Sequence, residues 1–421
     1  VNTPTSSTAQ PKRTLAQWLS YLESIHPSTI DMGLERVKQV AEKLCFNFSQ
    51  STVITVAGTN GKGTTCRFIE AALLHQKQTV GVYSSPHLID YRERVRINGE
   101  LAPEQVYVDA LQKVETARGE VSLTYFEFGT LAALVMMQEQ QVDYTILEVG
   151  LGGRLDATNI VDADIAVVTS IGLDHQDWLG DTREKIAVEK AGIMRADAVA
   201  IIGEPEPPHT LTDFVAKLGC EALWCGRDFS FQAHKGSWQW QCDNVQLTDL
   251  TNTSFLYQNV STALAVLQQL HRLPEVDDVN QILASVSLPG RRQRVSGEPD
   301  VYLDVGHNPQ ATDAMQDWLK SLQADQIHFV VGMLKDKAIA DTLKPLTSLQ
   351  GHWYCASLTG PRGTPAQIIR SALPSTVQNN AECFNTVSDA LAAAKKKADV
   401  NDIILVFGSF LTVADVLALQ S

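Results

Sequence analysis

VITVAGTNGKGTT, residues 53–65, runs a β-branched strand into the loop Gly58-Thr59-Asn60-Gly61-Lys62-Gly63-Thr64 and on into a helix expected to start near Cys66. Strand, glycine-rich loop and helix N-terminus in that order make a phosphate loop. Glycines let backbone N–H groups turn toward phosphate oxygens, Lys62 brings a point charge to the β- and γ-phosphates, and Thr64 or Thr65 offers a hydroxyl to a magnesium ion. The helix dipole adds partial positive charge at the same place. Because Gly63 separates the lysine from the hydroxyl, the loop departs from the G-x-x-x-x-G-K-[ST] pattern.

On either side of this loop the chain alternates apolar strand-like runs with helical periodicity. Leu15, Trp18, Leu19 and Leu22, then Leu34, Val37, Val40 and Leu44, predict helices ahead of the loop, with a break at His26–Gly33. Behind it come strands at Thr79–Tyr83, Thr145–Val149, Ile165–Thr169 and Ala198–Ile202, with helices such as Phe126–Gln138 between them. Such alternation predicts an α/β fold with a mostly parallel, phosphate-loop-containing sheet. Phe229–Leu250 alternates apolar and polar residues and predicts a hairpin-like excursion, followed by a helix at Asn259–Leu270. Leu288-Pro289-Gly290-Arg291-Arg292 carries the breakers of a hinge, after which a new βα series begins at Val301–Val305. The expected organisation is a first domain over residues 1–288 and a smaller, Rossmann-like α/β domain over residues 289–421.

The chain has 421 residues, 44% of them hydrophobic and 19% charged, a composition that excludes a disordered or fibrous protein. Lys and Arg number 34 against 48 Asp and Glu, a net charge of −14 that argues against binding the phosphate backbone of nucleic acids. Seven cysteines form no C-x-x-C pair, as expected of reduced thiols in the cytoplasm. No apolar run is long enough to span a membrane, and the polar N-terminal stretch VNTPTSSTAQPKR has no apolar signal region.

Five further places are candidates for chemistry. Glu148 ends an apolar strand and opens into a glycine-rich loop, where a carboxylate can hold Mg²⁺. His175 follows the next strand end; taken singly, such a histidine is more often a hydrogen-bonded structural residue than a ligand. Lys190 lies on a helix, and no spacing rule picks it out. In the second domain YLDVGHNP (302–309) places Asp304, His307 and Asn308 at a strand end, to grip a nucleotide or merely to cap the next helix. Arg291 and Arg292 sit at the hinge, either reaching a nucleotide held between the domains or pairing on the surface.

Taken together, GTNGKGTT (58–65), YSSPHL (83–88), RERVRING (92–99), TYFEFGT (124–130), LEVGLGGRLDATN (147–159), SIGLDHQDWLG (170–180), EKAGI (189–193), LPGRRQ (288–293), DVGHNP (304–309), GMLKDK (332–337) and FGSFLTV (407–413) resemble the folylpolyglutamate synthase/dihydrofolate synthase family of the Mur ligase superfamily. The resemblance runs from about Thr14 to the C-terminus, in the family's order. It implies an ATP-dependent ligase in which a substrate carboxylate takes the γ-phosphoryl group of ATP and the amino group of L-glutamate then displaces phosphate. TIDMGLERV (29–37), TYFEFGT and GTNGKGTTCR are similar to the bifunctional bacterial type, whose partners are dihydropteroate, tetrahydrofolates and L-glutamate. It also implies that residues 1–288 bind ATP and the pteroate, that residues 289–421 are the glutamate-ligase domain, and that the enzyme is a monomer needing neither nucleic acid nor membrane.

By the same resemblance, Gly58, Thr59, Asn60, Gly61, Lys62, Gly63 and Thr64 hold the triphosphate, with Asn259, Arg291, Asp304 and His307 contacting adenosine or phosphate. Ser85, Glu148 and His175 bind two Mg²⁺ ions together with Lys190, which the family carbamylates with CO₂ into an anionic oxygen ligand. Lys62, His175 and Lys190 are the catalytic set. Thr29, Ile30, Asp31, Met32, Thr124, Tyr125, Phe126, Glu127, Leu155, Asp156 and Ala157 form the pteroate pocket. Departures fall at Gly306 (usually alanine), Arg292 (usually bulky and apolar) and Leu411 (usually aromatic or histidine). Alternatives are a monofunctional folylpolyglutamate synthase and a non-catalytic ATP-dependent switch. A peptidoglycan-precursor ligase is expected to carry a further N-terminal UDP-sugar domain, for which the about 50 residues ahead of the loop leave no room.

Overall fold

The computed structural model describes residues 13–419 apart from Pro27 and Thr29. The first sheet uses eight strands: β1 (Thr52–Ala57), β2 (Val80–Tyr83), β3 (Val95–Ile97), β4 (Glu100–Leu101), β5 (Tyr144–Glu148), β6 (Ile165–Val168), β7 (Val199–Ile202) and β8 (Glu221–Trp224). Their spatial order is β4-β3-β2-β5-β1-β6-β7-β8, parallel from β2 to β8 with β3 and β4 antiparallel at the edge. The central strands are buried along almost their whole length, because helices cover both faces.

Ahead of the sheet lie α1 (Leu15–Leu22) and α2 (Glu35–Leu44); then follow α3 (Lys62–His75), α4 (Glu104–Arg118), α5 (Tyr125–Gln140), α6 (Gln176–Leu179), α7 (Arg183–Ala191), α8 (His209–Leu218), α9 (Tyr257–Gln269) and α10 (Val276–Ser285). Helices α3, α9 and α10 pack on one face, through residues such as Phe68, Leu264 and Ile282. On the other face, Trp18, Val37, Leu111 and Leu131 bring α1, α2, α4 and α5 into one core, and Ile186 and Leu211 of α7 and α8 build a third cluster. The segment read as a hairpin is a three-stranded antiparallel sheet, β9 (Phe229–Ala233), β10 (Ser237–Cys242) and β11 (Val245–Thr251). Its fully buried Trp238 and Trp240 join the α9 core.

Helix α3 begins at Lys62, four residues before the expected position. Glycine's poor helix propensity hides the true start. Gly61 holds φ at 87° and stops the chain from continuing the loop, so Gly63 sits inside the first turn rather than before it.

After Ser285 the chain crosses to a second sheet: β12 (Gln293–Ser296), β13 (Asp300–Asp304), β14 (Ile327–Val331), β15 (Gly351–Ala356), β16 (Ala381–Phe384) and β17 (Ile403–Phe407), in the order β12-β13-β17-β14-β15-β16. All neighbours are parallel except the edge pair β12 and β13. Helix α11 (Pro309–Ser321) follows β13, capped by the Asn308 side chain with Pro309 at its first position. At the crossing, Gly290 takes φ of 68°, and a Cβ there would stand 2.8 Å from Val305 Cγ1, so the connector passes against the second domain where a side chain does not fit. Among the described residues no helix is long and apolar enough to cross a membrane.

Candidate active site

Strand register decides which loops meet. Val56 of β1 pairs with Glu148 of β5, and Ala57 pairs with Val168 of β6, so the phosphate loop, Glu148 and the Thr169–His175 loop open on one carboxyl edge. Ligands bind outside the carboxyl ends of strands in open parallel sheets. In the second sheet Asp304 and Val331 both pair with Phe407, which sets Asp304, Gly332 and Ser409 on a matching edge. The two edges face each other across a cavity of about 460 Å³.

This cavity is lined by Gly58–Thr64, Ser85, Glu148, His175, Lys190, Asn259, Arg291, Asp304 and His307. Residues separated by up to about 250 positions thus share one space. Of the two candidate hydroxyls, Thr64 lines the cavity, whereas Thr65 donates to the Asn259 carbonyl at 3.4 Å. The Lys62 ammonium donates to Gly58 O at 2.9 Å, folded back over its own loop. A Cβ on Gly61 would stand 2.2 Å from Asn259 Oδ1, so only glycine lets the loop pass beside α9. At Gly63, by contrast, a Cβ would stand 3.8 Å from Glu148 Oε1, an ordinary contact, which places Glu148 beside the first turn of α3.

Three groups have electrostatics suited to metal and phosphate chemistry. Glu148 is 6% exposed and accepts from the Ser85 backbone N–H at 3.3 Å; burial pushes its carboxyl up, while Lys62 and Arg291 favour the charged form. His175 is held at φ 51°, and burial followed by the Lys337 charge pulls its imidazole down to about 4, leaving it neutral near pH 7. Lys190 is 3% exposed, and burial, then Lys62, pull its amine down to about 7. An amine so placed is partly neutral under physiological conditions, and only the neutral form is a nucleophile.

Among the described residues no three His, Cys, Asp or Glu side chains converge tightly enough to cage a metal by themselves. Mg²⁺ suits such a place, because it takes one or two protein carboxylates plus phosphate oxygens and water. Glu148 and the Ser85 hydroxyl supply oxygens of that kind, and His175 adds a neutral nitrogen to the lining of the same cavity.

The residues expected at the pteroate pocket lie beside the cavity rather than in its lining. Thr124 and Glu127 form the reciprocal cap of α5, and Arg36 donates to Glu127 Oε1 at 2.8 Å and to the Asp31 carbonyl at 2.9 Å. Asp156 accepts from Gly150, Leu151 and Thr158 and so fixes the glycine loop after Glu148. Phe126 packs so closely on Gly150 that a Cβ there would stand 2.5 Å from its ring, and Met32 reaches Gly152. Tyr125 meets Tyr91 edge-on, Ala157 joins the core beneath, and Ile30 and Leu155 are half-buried. Thr29 lies outside the described residues.

Sequence reasoning named Asn60, His307 and Asn308 but not the contacts by which they, with Asp174, Lys337 and Gln310, join the two units. Asp174 accepts from Lys337 at 2.7 Å and from Asn308 at 3.2 Å, and His307 Nε2 lies 3.4 Å away. Burial pushes the Asp174 carboxyl up, but the His307 and Lys337 interactions override it and hold the group well below the usual carboxylate range. Asn60 and Asn308 exchange side-chain amide hydrogen bonds of 3.0 and 2.9 Å, and Asn60 also donates to Gln310. In the 302–309 loop Asn308 caps α11, and Asp304 and His307 line the cavity. GMLKDK at 332–337 carries Lys337 and SIGLDHQDWLG at 170–180 carries Asp174, yet nothing local pairs the two.

Two family models match, the Mur ligase middle domain over residues 56–266 and the Mur ligase glutamate ligase domain over residues 290–410. A dihydrofolate synthase/folylpolyglutamate synthase of Escherichia coli strain K12 is 47% identical over 97% of this chain and 96% of its own length. The Haemophilus influenzae protein of the same description is 43% identical over 95% of this chain and 96% of its own. Among solved structures, E. coli FolC in complex with DHPP and ADP superposes with a TM-score of 0.92 at 46% identity, covering 98% of this chain and 99% of that one. The bifunctional enzyme of Yersinia pestis complexed with AMPPNP and a Mn ion gives 0.92 at 47% identity, over 98% and 100%.

Proposed function

The chain belongs to the dihydrofolate synthase/folylpolyglutamate synthase family of Mur ligases, and from that premise we propose how its residues carry out the ligation. The enzyme joins L-glutamate to dihydropteroate, forming dihydrofolate, and to tetrahydrofolate glutamates, extending the tail, at the expense of ATP. The observation that carries this reading is the cavity between the two sheets, where the phosphate loop, Glu148, His175 and Lys190 of one unit face Asp304 and His307 of the other.

In the first step a carboxylate oxygen of the pteroate or folate attacks the γ-phosphorus of ATP; the P–O bond to ADP breaks and an acyl phosphate forms. Positioning and charge neutralisation dominate such a transfer. The N–H groups of the loop and the first turn of α3 hold the triphosphate, and Lys62 exchanges its Gly58 carbonyl for phosphate oxygen. Arg291, half-buried and with its charge felt by Glu148, balances charge from the hinge side. In the second step the glutamate amine attacks the acyl carbon, phosphate leaves with the C–O electron pair, and the nitrogen loses its proton to give the amide.

Divalent metal would be held by Glu148, His175, the Ser85 hydroxyl and a carbamate on Lys190, two Mg²⁺ ions in all, neutralising charge on the γ-phosphate and the attacking carboxylate. The carbamate forms when the neutral Lys190 amine attacks CO₂ and releases a proton, turning a cation into an oxygen ligand. Contact between the two carboxyl edges keeps water from the acyl phosphate. On the pteroate side, Met32, Phe126 and the Gly150–Gly152 loop set the wall, and the Arg36 bridge holds the Asp31 loop to α5.

Mass spectrometry of products formed from Mg-ATP and L-glutamate, with dihydropteroate or tetrahydrofolate supplied separately, tests the assignment. One glutamyl unit added to each acceptor is the expected result. Addition to tetrahydrofolate alone reduces the activity to polyglutamylation, and addition to neither overturns the ligase.

A further inference from the structure

The cavity has an end that the phosphate chemistry does not use. From Asn259, which abuts the phosphate loop, α9 leads back to Tyr257, whose ring stacks on the buried Trp238 at 5.0 Å and 23°. Tyr257 and Phe231 wall the cavity from the first unit, and Ala314 and Met315 of α11 wall it from the second. Aromatic rings on one side and small or thioether side chains on the other make a slot for a flat ring.

Arg292 stands at this slot and lines it. Its backbone takes φ of 43° and its N–H donates to Asp304 Oδ2 at 3.0 Å, which locks the residue to the second sheet. Its guanidinium lies 5.2 Å from the Trp318 ring centre, and Nη2 donates to the Ala314 carbonyl at 3.0 Å. Among the described residues Nε and Nη1 have no hydrogen-bond partner, yet neither is sealed from solvent. A half-buried guanidinium anchored on one face and through one Nη2 hydrogen keeps one two-donor edge free for acceptors that the protein itself does not supply. The neighbouring Arg291 turns the other way, with its guanidinium 5.2 Å from the Phe410 ring and its charge felt by Glu148.

We propose that Arg292 is a base-reading residue of the nucleotide site, donating from its free guanidinium edge to the ring acceptors of a bound purine. This rests on the reading of the cavity as a nucleoside triphosphate site. Adenine offers N7 beside an amino donor, whereas guanine offers N7 and O6 together, the pair that a two-donor arginine edge matches. Arg292 therefore admits GTP alongside ATP as phosphoryl donor and disfavours pyrimidine nucleotides.

Steady-state glutamate-dependent phosphate release, with dihydropteroate as acceptor and ATP, GTP or CTP as donor, tests this on the wild type, Arg292→Leu and Arg292→Lys. The wild type is expected to use GTP with kcat/KM within about tenfold of that for ATP. Arg292→Leu should raise KM for ATP about tenfold and for GTP about a hundredfold, with kcat changed less than about twofold. Arg292→Lys keeps the charge but loses the planar edge, and should show the same selective loss of GTP. A structural role alone would shift ATP and GTP equally. An unchanged GTP-to-ATP ratio in both variants, or wild-type enzyme that works with ATP and is inert with GTP, overturns the proposal. If the leucine variant fails to fold, the lysine variant alone decides it. No turnover with any nucleotide would instead overturn the ligase reading on which the proposal rests.

Discussion

Replacing Asp174 by asparagine should uncouple the two halves of the enzyme. The Asp174 carboxylate and the Lys337 ammonium are 10% and 5% exposed, 2.7 Å apart, and come from opposite units. Asparagine keeps the volume but leaves Lys337 buried beside a neutral amide. Removing one partner of a buried ion pair costs about 3–5 kcal/mol, because the other charge stays desolvated. At about 1.4 kcal/mol per factor of ten, ligation should fall by about two to three and a half orders of magnitude in kcat/KM, since the site is complete only while the carboxyl edges meet. The assay is a double-mutant cycle of Asp174→Asn, Lys337→Met and the double variant, read by glutamate-dependent phosphate release, with nucleotide binding to the first unit measured separately. The double variant should be less impaired than the sum of the singles by about 2 kcal/mol or more. Losses that add to within about 0.5 kcal/mol would show that the pair does not hold the units together.

Gly61→Ala forces a left-handed φ on an alanine and drives its Cβ toward Asn259 Oδ1; titration with ATP should show affinity reduced at least about tenfold, and unchanged affinity would refute the fit of the loop. Lys190→Ala should abolish ligation while ATP still binds, and in the wild type CO₂-free buffer should depress activity that bicarbonate restores; normal turnover in the variant sinks the carbamate role. Arg36→Ala removes the bridge from Asp31 to Glu127 and should raise KM for dihydropteroate several-fold, leaving KM for ATP unchanged. Glu70 is fully buried under Arg96 and Arg67, so Glu70→Gln should lower stability in urea melts by about 3 kcal/mol; a midpoint within error of wild type would be inconsistent with that.

What could be read from the chain was what is local. The run from Val53 to Thr65 carries its own turn chemistry, and Glu148 stands at a strand end that its apolar neighbours announce. Pairing of Val56 with Glu148 then follows from strand adjacency, which alternation alone does not set. The helix start at Lys62 was displaced because glycines at 61 and 63 argue against a helix that tertiary packing imposes. Contacts such as Asn60 with Asn308 or Asp174 with Lys337 join positions 248 and 163 residues apart, and nothing in either neighbourhood announces the other. Read singly, His175 was an ordinary histidine and only the resemblance made it a ligand; burial beside Lys337, which pulls its imidazole down to about 4, could not be read locally.

The cationic lining of the cavity belongs to a body of net charge −14. Lys62, Arg291 and Arg292 act inside the cleft, while an approaching polyanion meets the negative whole at separations up to about a Debye length, about 8 Å in physiological salt. Each round of glutamate addition consumes one carboxylate and installs two, so the product returns with one more negative charge than it had before. The far field therefore opposes every successive round more strongly, and the tail limits its own growth. Dilute salt, which weakens screening, should shorten the distribution of tail lengths, whereas added salt should lengthen it until phosphate contacts in the cleft begin to fail.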